Sequence, residues 1–235
     1  MDDIPSFYDK KAAELKKAKK FEESLKFTDK AKAIKAEEKS EDFWYKKAVR
    51  YQEVGEYEDA IKCLDRDISV HKPSFETYFL KGKILVQFKK YAEAIECFNK
   101  ASEERNQTYL QNTKKIDTMT KAHKFEKALI YKDLTSNVVD LDENFWHYKG
   151  IAFLKLKKYE NAKECFINGL EKKKDDPKIL YVQAKCELFL GNDEKSLELL
   201  KKSCDLDVIN REKLREDDDF SQLSTNKKFR TILGL

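Results

Sequence analysis

Ala60, Ala94, Ala128 and Ala162 stand thirty-four residues apart, and the series runs on to Ser196. An aromatic precedes each alanine by three positions (Tyr57, Tyr91, Phe125, Tyr159), and Ile61, Ile95 and Leu129 follow directly after three of them. One supersecondary unit has been copied along the chain. A unit of this size cannot bury its apolar face alone and must stack on its neighbours. The copies run 41–74, 75–108, 109–142, 143–176 and 177–210. A further copy lies upstream at about 5–40, with Phe21 and Ser24 in the aromatic and alanine slots, two residues out of phase.

Within each copy the apolar residues fall on two helical stripes. Trp44, Ala48 and Tyr51 line a first helix, and Ala60, Leu64 and Ile68 a second. A short break rich in Gly or Lys separates them, as at Gly55-Glu56, Lys89-Lys90, Lys157-Lys158 and Gly191-Asn192. Pro73 and Pro177 fall at junctions where the next copy begins. The pattern predicts twelve repeat helices, over 5–18, 21–37, 41–54, 57–71, 75–88, 91–105, 109–122, 125–138, 143–156, 159–173, 177–190 and 193–206. One or two closing helices are expected after 208.

The period, the helix pairing and the slots resemble the tetratricopeptide repeat over roughly residues 5–210. Trp146, Gly150, Phe153, Tyr159, Ala162, Phe166 and Gly169 fill one copy of that pattern, and Tyr78, Gly82, Tyr91, Ala94, Phe98 and Ala101 another. The 109–142 copy departs from it, with Asn112 in the Trp slot and Lys132 in the Phe slot. The resemblance implies an all-α, right-handed superhelical solenoid of about six helix-turn-helix repeats, closed by a C-terminal helical cap over 211–235. A solenoid's last helix has an uncovered face, and Phe220, Leu223, Phe229, Ile232 and Leu233 are the candidates to cover it.

The residues that usually advertise chemistry are absorbed by the repeat. Cys63, Cys97 and Cys165 share one slot, no Cys-x-x-Cys is present, and equivalent slots lie too far apart for a disulfide. Five free thiols suit a reducing cytoplasm. The glycines occupy packing or turn slots, leaving none for a phosphate loop, and the three histidines are isolated in sequence. The run Glu216 to Asp219 reads as a helix N-terminal cap. No catalytic residue, metal site or cofactor is expected. No apolar run approaches the length of a membrane span, and Met1-Asp2-Asp3 does not open a signal peptide. Charge is mixed, +4 net from 48 basic and 44 acidic residues, and lysine far outnumbers arginine, so a nucleic-acid partner is not expected.

In the family it resembles, the first helix of each repeat lines an inner groove. Carried over, that places Tyr45, Lys46, Val49, Phe79, Leu80, Lys83, Lys114, His147, Tyr148, Ile151, Tyr181, Val182 and Lys185 on a partner-binding surface. Aromatics beside lysines suit a protein or peptide partner, whose identity stays open. The co-chaperone members' clamp for a chaperone C-terminal tail needs asparagines on this face, and the corresponding positions have none. Two readings stand: a non-catalytic scaffold holding a peptide or helix in the groove, or an assembly subunit working through self-association, its ends or its convex face.

Overall fold

The computed structural model describes residues 4–17, 42–136 and 141–235, with scattered positions between 20 and 40. Among the described residues there are helices and turns and no strand. The chain divides into two compact units, Met1–Pro73 and Ser74–Leu235.

In the first unit, α1 spans Ile4–Lys17, α2 Phe43–Glu53 and α3 Tyr57–Val70. The helix expected over 21–37, Phe21 included, lies largely outside the described residues. Ser24 is buried, and its hydroxyl donates to the Ala12 carbonyl at 2.8 Å. Ala48, Ala60, Cys63 and Leu64 bury the seam between α2 and α3. Trp44 lies half-buried in the same hairpin, with the Arg66 guanidinium of α3 5.9 Å from its ring.

The second unit runs through α4 (Phe75–Gln87), α5 (Tyr91–Lys121), α6 (Phe125–Ser136), α7 (Glu143–Lys155), α8 (Tyr159–Lys172), α9 (Pro177–Phe189) and α10 (Asp193–Leu206). It closes with α11 (Val208–Arg215), a 3-10 turn (Asp218–Leu223) and α12 (Lys227–Leu233). The sequence expectation of separate helices over 91–105 and 109–122 is corrected here, because α5 is one helix of 31 residues.

The cause is local. Where the other first helices of this unit begin, a side chain turns back to cap exposed amides: Ser74 to Thr77, Asp142 to Phe145, Asp176 to Lys178 and Ile179. At the equivalent position Thr108 instead donates to the Glu104 carbonyl at 2.9 Å, a bond inside a continuing helix. Gln107 stands one period after Pro73, so no proline interrupts the helix there.

The 109–142 copy also cannot pack as its neighbours do. In the copies on either side, the Phe98 ring closes on Gly82 and the Phe166 ring on Gly150; a β-carbon at Gly82 would stand 2.7 Å from Phe98 Cε1. The same two slots in the 109–142 copy hold Ile116 and Lys132, a bulky residue where glycine is needed and a cation where the ring belongs. The copy is therefore left out of the stack, against the sequence expectation. In its place α7 packs directly on α4 and α5, with Phe145 fully buried 6.0 Å from Phe75, 5.9 Å from Phe79 and 5.6 Å from Phe98.

Further along, Leu180, Tyr181, Leu197 and Leu200 share a buried cluster with Phe220, Leu223, Phe229 and Leu233, and Ile232 packs against it. The closing segment thus covers the apolar side of α9 and α10.

Candidate functional site

Skipping the 109–142 copy brings the first helices of the 75–108 and 143–176 copies side by side. Phe79 of α4 meets Tyr148 of α7 edge-on, with centroids 6.4 Å apart, and the Lys83 ammonium lies 5.7 Å from the centre of the Tyr148 ring. Phe79, Lys83 and Tyr148 are each half-buried, and burial raises the Tyr148 hydroxyl above its ordinary pKa. Ile151 follows Tyr148 by one helical turn and is also half-buried. A partly exposed aromatic with a cation at its face can take an apolar group and an acidic group side by side.

His147 has a buried, unpartnered Nδ1. Burial pushes its pKa down to about 4, with Lys178 and Lys213 acting in the same direction and Asp176 opposing, so the ring is neutral near pH 7. Leu80 is buried, and Val182 packs against the closing cluster.

Tyr181 and Lys185 do not face an open groove. Tyr181 is only 3% exposed; its hydroxyl donates to Asp217 Oδ2 at 2.7 Å. The Lys185 ammonium donates to Asp217 Oδ1 at 2.8 Å and to Asp219 Oδ2 at 2.7 Å. The acidic run does begin a helical turn, since Asp217 accepts from the Asp219 amide, but its larger contribution is to fasten the closing segment onto α9. Sequence periodicity carried no sign of that pairing, because the partners lie outside the repeat.

Lys114 lies on the second half of α5, exposed and outside the stack. In the first unit Tyr45 and Val49 are half-buried on α2, and Lys46 is exposed and paired with Asp42 at 3.1 Å. The predicted site residues therefore separate into an α4–α7 surface, a position outside the stack, a sealed pair under the cap, and a patch on the first unit.

The thiols carry no reactive signature: all five cysteines are free and buried, and burial raises Cys165 to about 11 and Cys186 to about 12. Among the described residues no group of three His, Cys, Asp or Glu side chains is placed to hold a metal ion, and no helix is long and apolar enough to cross a membrane.

Comparison with known proteins follows the same lines. The family model of the anaphase-promoting complex (cyclosome) subunit 3 matches residues 17–101. A TPR repeat-containing protein of Methanocaldococcus jannaschii is 25% identical, over 59% of this chain and 32% of its own length. This chain therefore spans about a third of the length of that curated relative. Among solved structures, MamA superposes with a TM-score of 0.53 at 14% identity, covering 93% of this chain and 97% of its own. PilW, described as a widely conserved type IV pilus biogenesis factor, gives 0.55 at 15% identity, with 99% and 100% covered. The chain carries the tetratricopeptide-repeat fold. Tetratricopeptide-repeat proteins serve generally as protein-interaction scaffolds and not as catalysts, and here the copy that departs most from the repeat pattern is also the one outside the stack.

Proposed function

We propose that this chain is a non-catalytic scaffold that holds an extended segment or helix of a partner protein along the first helices of its repeats. In the second unit the contact centres on Phe79, Lys83, Tyr148 and Ile151. In the first unit Tyr45, Lys46 and Val49 form a separate patch of the same chemistry. The observation that carries the reading is the Lys83 ammonium over the half-buried Tyr148 ring. An aromatic offers a large rigid contact at low entropic cost, and the cation selects an acidic neighbour on the ligand. Tyr181 and Lys185 have no part in it, being engaged by the closing segment.

A photo-crosslinking amino acid placed at Ile151 in the native cell tests this, with the same group at Glu171 as control. A discrete adduct at Ile151 that disappears on Tyr148→Ala and is absent at Glu171 supports the groove. Equal labelling at the two positions, or an adduct indifferent to Tyr148, rejects it.

A further inference from the structure

The hairpin formed by the second half of α5 and by α6 carries an apolar surface that its own repeat logic does not call for. Leu110 stands where the other copies have Asp42, Glu76, Asn144 and Lys178. Ile130 stands where they have Lys62, Glu96, Glu164 and Glu198, and Leu134 where they have Arg66, Lys100, Asn168 and Lys202. At three solvent-facing slots this copy alone is apolar, and the structure leaves all three open: Leu110 is 56% exposed, Ile130 59% and Leu134 50%. Phe125 and Leu129 are exposed as well, although the aromatics Tyr57, Tyr91 and Tyr159 in the first slot are half-buried and Ile61, Ile95, Lys163 and Leu197 in the second are half-buried or buried. Of the α6 side chains described, Ala128 is buried and Tyr131 half-buried. Apolar side chains thus reach well around α6 between its charged ones, yet among the described residues the helix is packed along one side.

The charge of the hairpin narrows the occupant. Residues 109–136 hold six lysines against three acids, a net +3 within a chain whose total is +4. Of the three acids, Asp117 is paired with Lys121 at 2.7 Å. A second copy of the hairpin would bring +3 against +3, which disfavours self-pairing. Phe125 and Leu129 lie on one flank of α6, with Ile130 and Leu134 roughly 140° around the helix. A single helix can lie along one of these flanks, and the Ile130–Leu134 flank is the one whose slots are charged or polar in the other copies.

We propose that the 109–136 hairpin is a docking surface for an acidic amphipathic helix of a partner protein, which takes the place that a neighbouring repeat would fill. The site is separate from the α4–α7 groove, and the two can be occupied independently.

The test uses the full chain and a fluorescent synthetic helix of about six turns, with leucines on one face and glutamates elsewhere; its counterpart carries lysines in place of glutamates. Binding is read by anisotropy at several salt concentrations. The glutamate helix is expected to bind, and the lysine helix at least tenfold more weakly. I130E/L134E is expected to lower affinity at least tenfold with an unchanged melting temperature, and the milder I130Q/L134Q to act in the same direction. K124E/K127E should weaken binding and flatten its salt dependence. Tyr148→Ala should leave it unchanged, which separates this surface from the groove. Failure of the glutamate helix to bind, or binding indifferent to I130E/L134E, overturns the proposal. A concentration-dependent dimer dispersed by I130E/L134E assigns the face to a second copy and overturns it too. So does flotation with phosphatidylglycerol vesicles in the absence of helix binding.

Discussion

The Phe98 ring closes on Gly82 so tightly that a β-carbon there would stand 2.7 Å from its Cε1 atom. The same pairing recurs at Phe166 and Gly150, and its replacement by Lys132 and Ile116 accompanies the exclusion of one copy from the stack. Gly82→Ala should therefore destabilise the protein by about 1–3 kcal/mol through overpacking, with Phe98 and Phe145 displaced together because their rings touch. Denaturant unfolding measures this. A change below about 0.5 kcal/mol would mean that the ring moves aside freely.

The continuity of α5 across Gln107 and Thr108 is equally open to test. Proline in a helix interior costs about 3 kcal/mol, so Gln107→Pro should destabilise by that order, whereas Pro73, one period earlier, is already accommodated between two helices. If Gln107→Pro is neutral, the chain already breaks there and the hairpin belongs in the stack.

The turn between the two helices of each copy from 41–74 to 177–210 places one residue in the left-handed region, at Gly55, Lys89, His123, Lys157 and Gly191. A side chain costs roughly 1–2 kcal/mol there, and glycine returns part of that as unfolded-state entropy. Lys157→Gly should thus stabilise by a few tenths to about 1 kcal/mol, measured by thermal or denaturant melting. A destabilised variant would contradict the turn geometry.

Burial lifts the Asp217 carboxyl toward its neutral form, but the Lys185 ammonium and the Tyr181 hydroxyl outweigh it and hold the pKa below the ordinary 3.8. A carboxyl with a depressed folded pKa contributes stability that is complete above the unfolded value and lost as pH falls through the folded one. The closing segment should therefore loosen below about pH 4. Asp217→Asn should remove that acid-dependent step and lower stability at pH 7 by about 1–3 kcal/mol. Hydrogen exchange of the Phe229–Leu233 amides at pH 7 and pH 3 reads it locally; equal protection at both rejects the assignment.

His147 gives a second, higher window. Its pKa falls from 6.5 when exposed to about 4 when folded, so between those values the unfolded chain binds a proton that the native chain does not. Stability should decline as pH drops from about 6.5 to about 4 and level off below, by about 3 kcal/mol or slightly more at roughly 1.4 kcal/mol per pKa unit. His147→Gln should flatten the profile over that range. A slope unchanged in His147→Gln would place the proton uptake elsewhere.

The helical repeat was legible in the residues because its cause is periodic. Alanine at Ala60, Ala94, Ala128 and Ala162, aromatics three positions earlier and charge on the outer faces specify helix pairs through the 3.6-residue helical period alone. Turn slots and most helix ends follow from the same local chemistry, and so do the buried cysteines, which share one slot in three copies. The running-on of α5 had a weaker sign, Gln107 in place of Pro73, because Thr108 is itself able to cap a helix and only the structure shows its hydroxyl turned back to the Glu104 carbonyl. The substitutions in the 109–142 copy were visible too, but their consequence was not. Whether Ile116 and Lys132 merely weaken a stack or leave the copy outside it depends on whether Phe145 can reach Phe79 and Phe98 across the gap. The pairing of Lys185 with Asp217 and Asp219 is likewise a contact between a repeat and a segment outside the period. Tertiary structure decided both, because a repeat specifies what each helix buries while the geometry of neighbouring helices determines what is available to cover it.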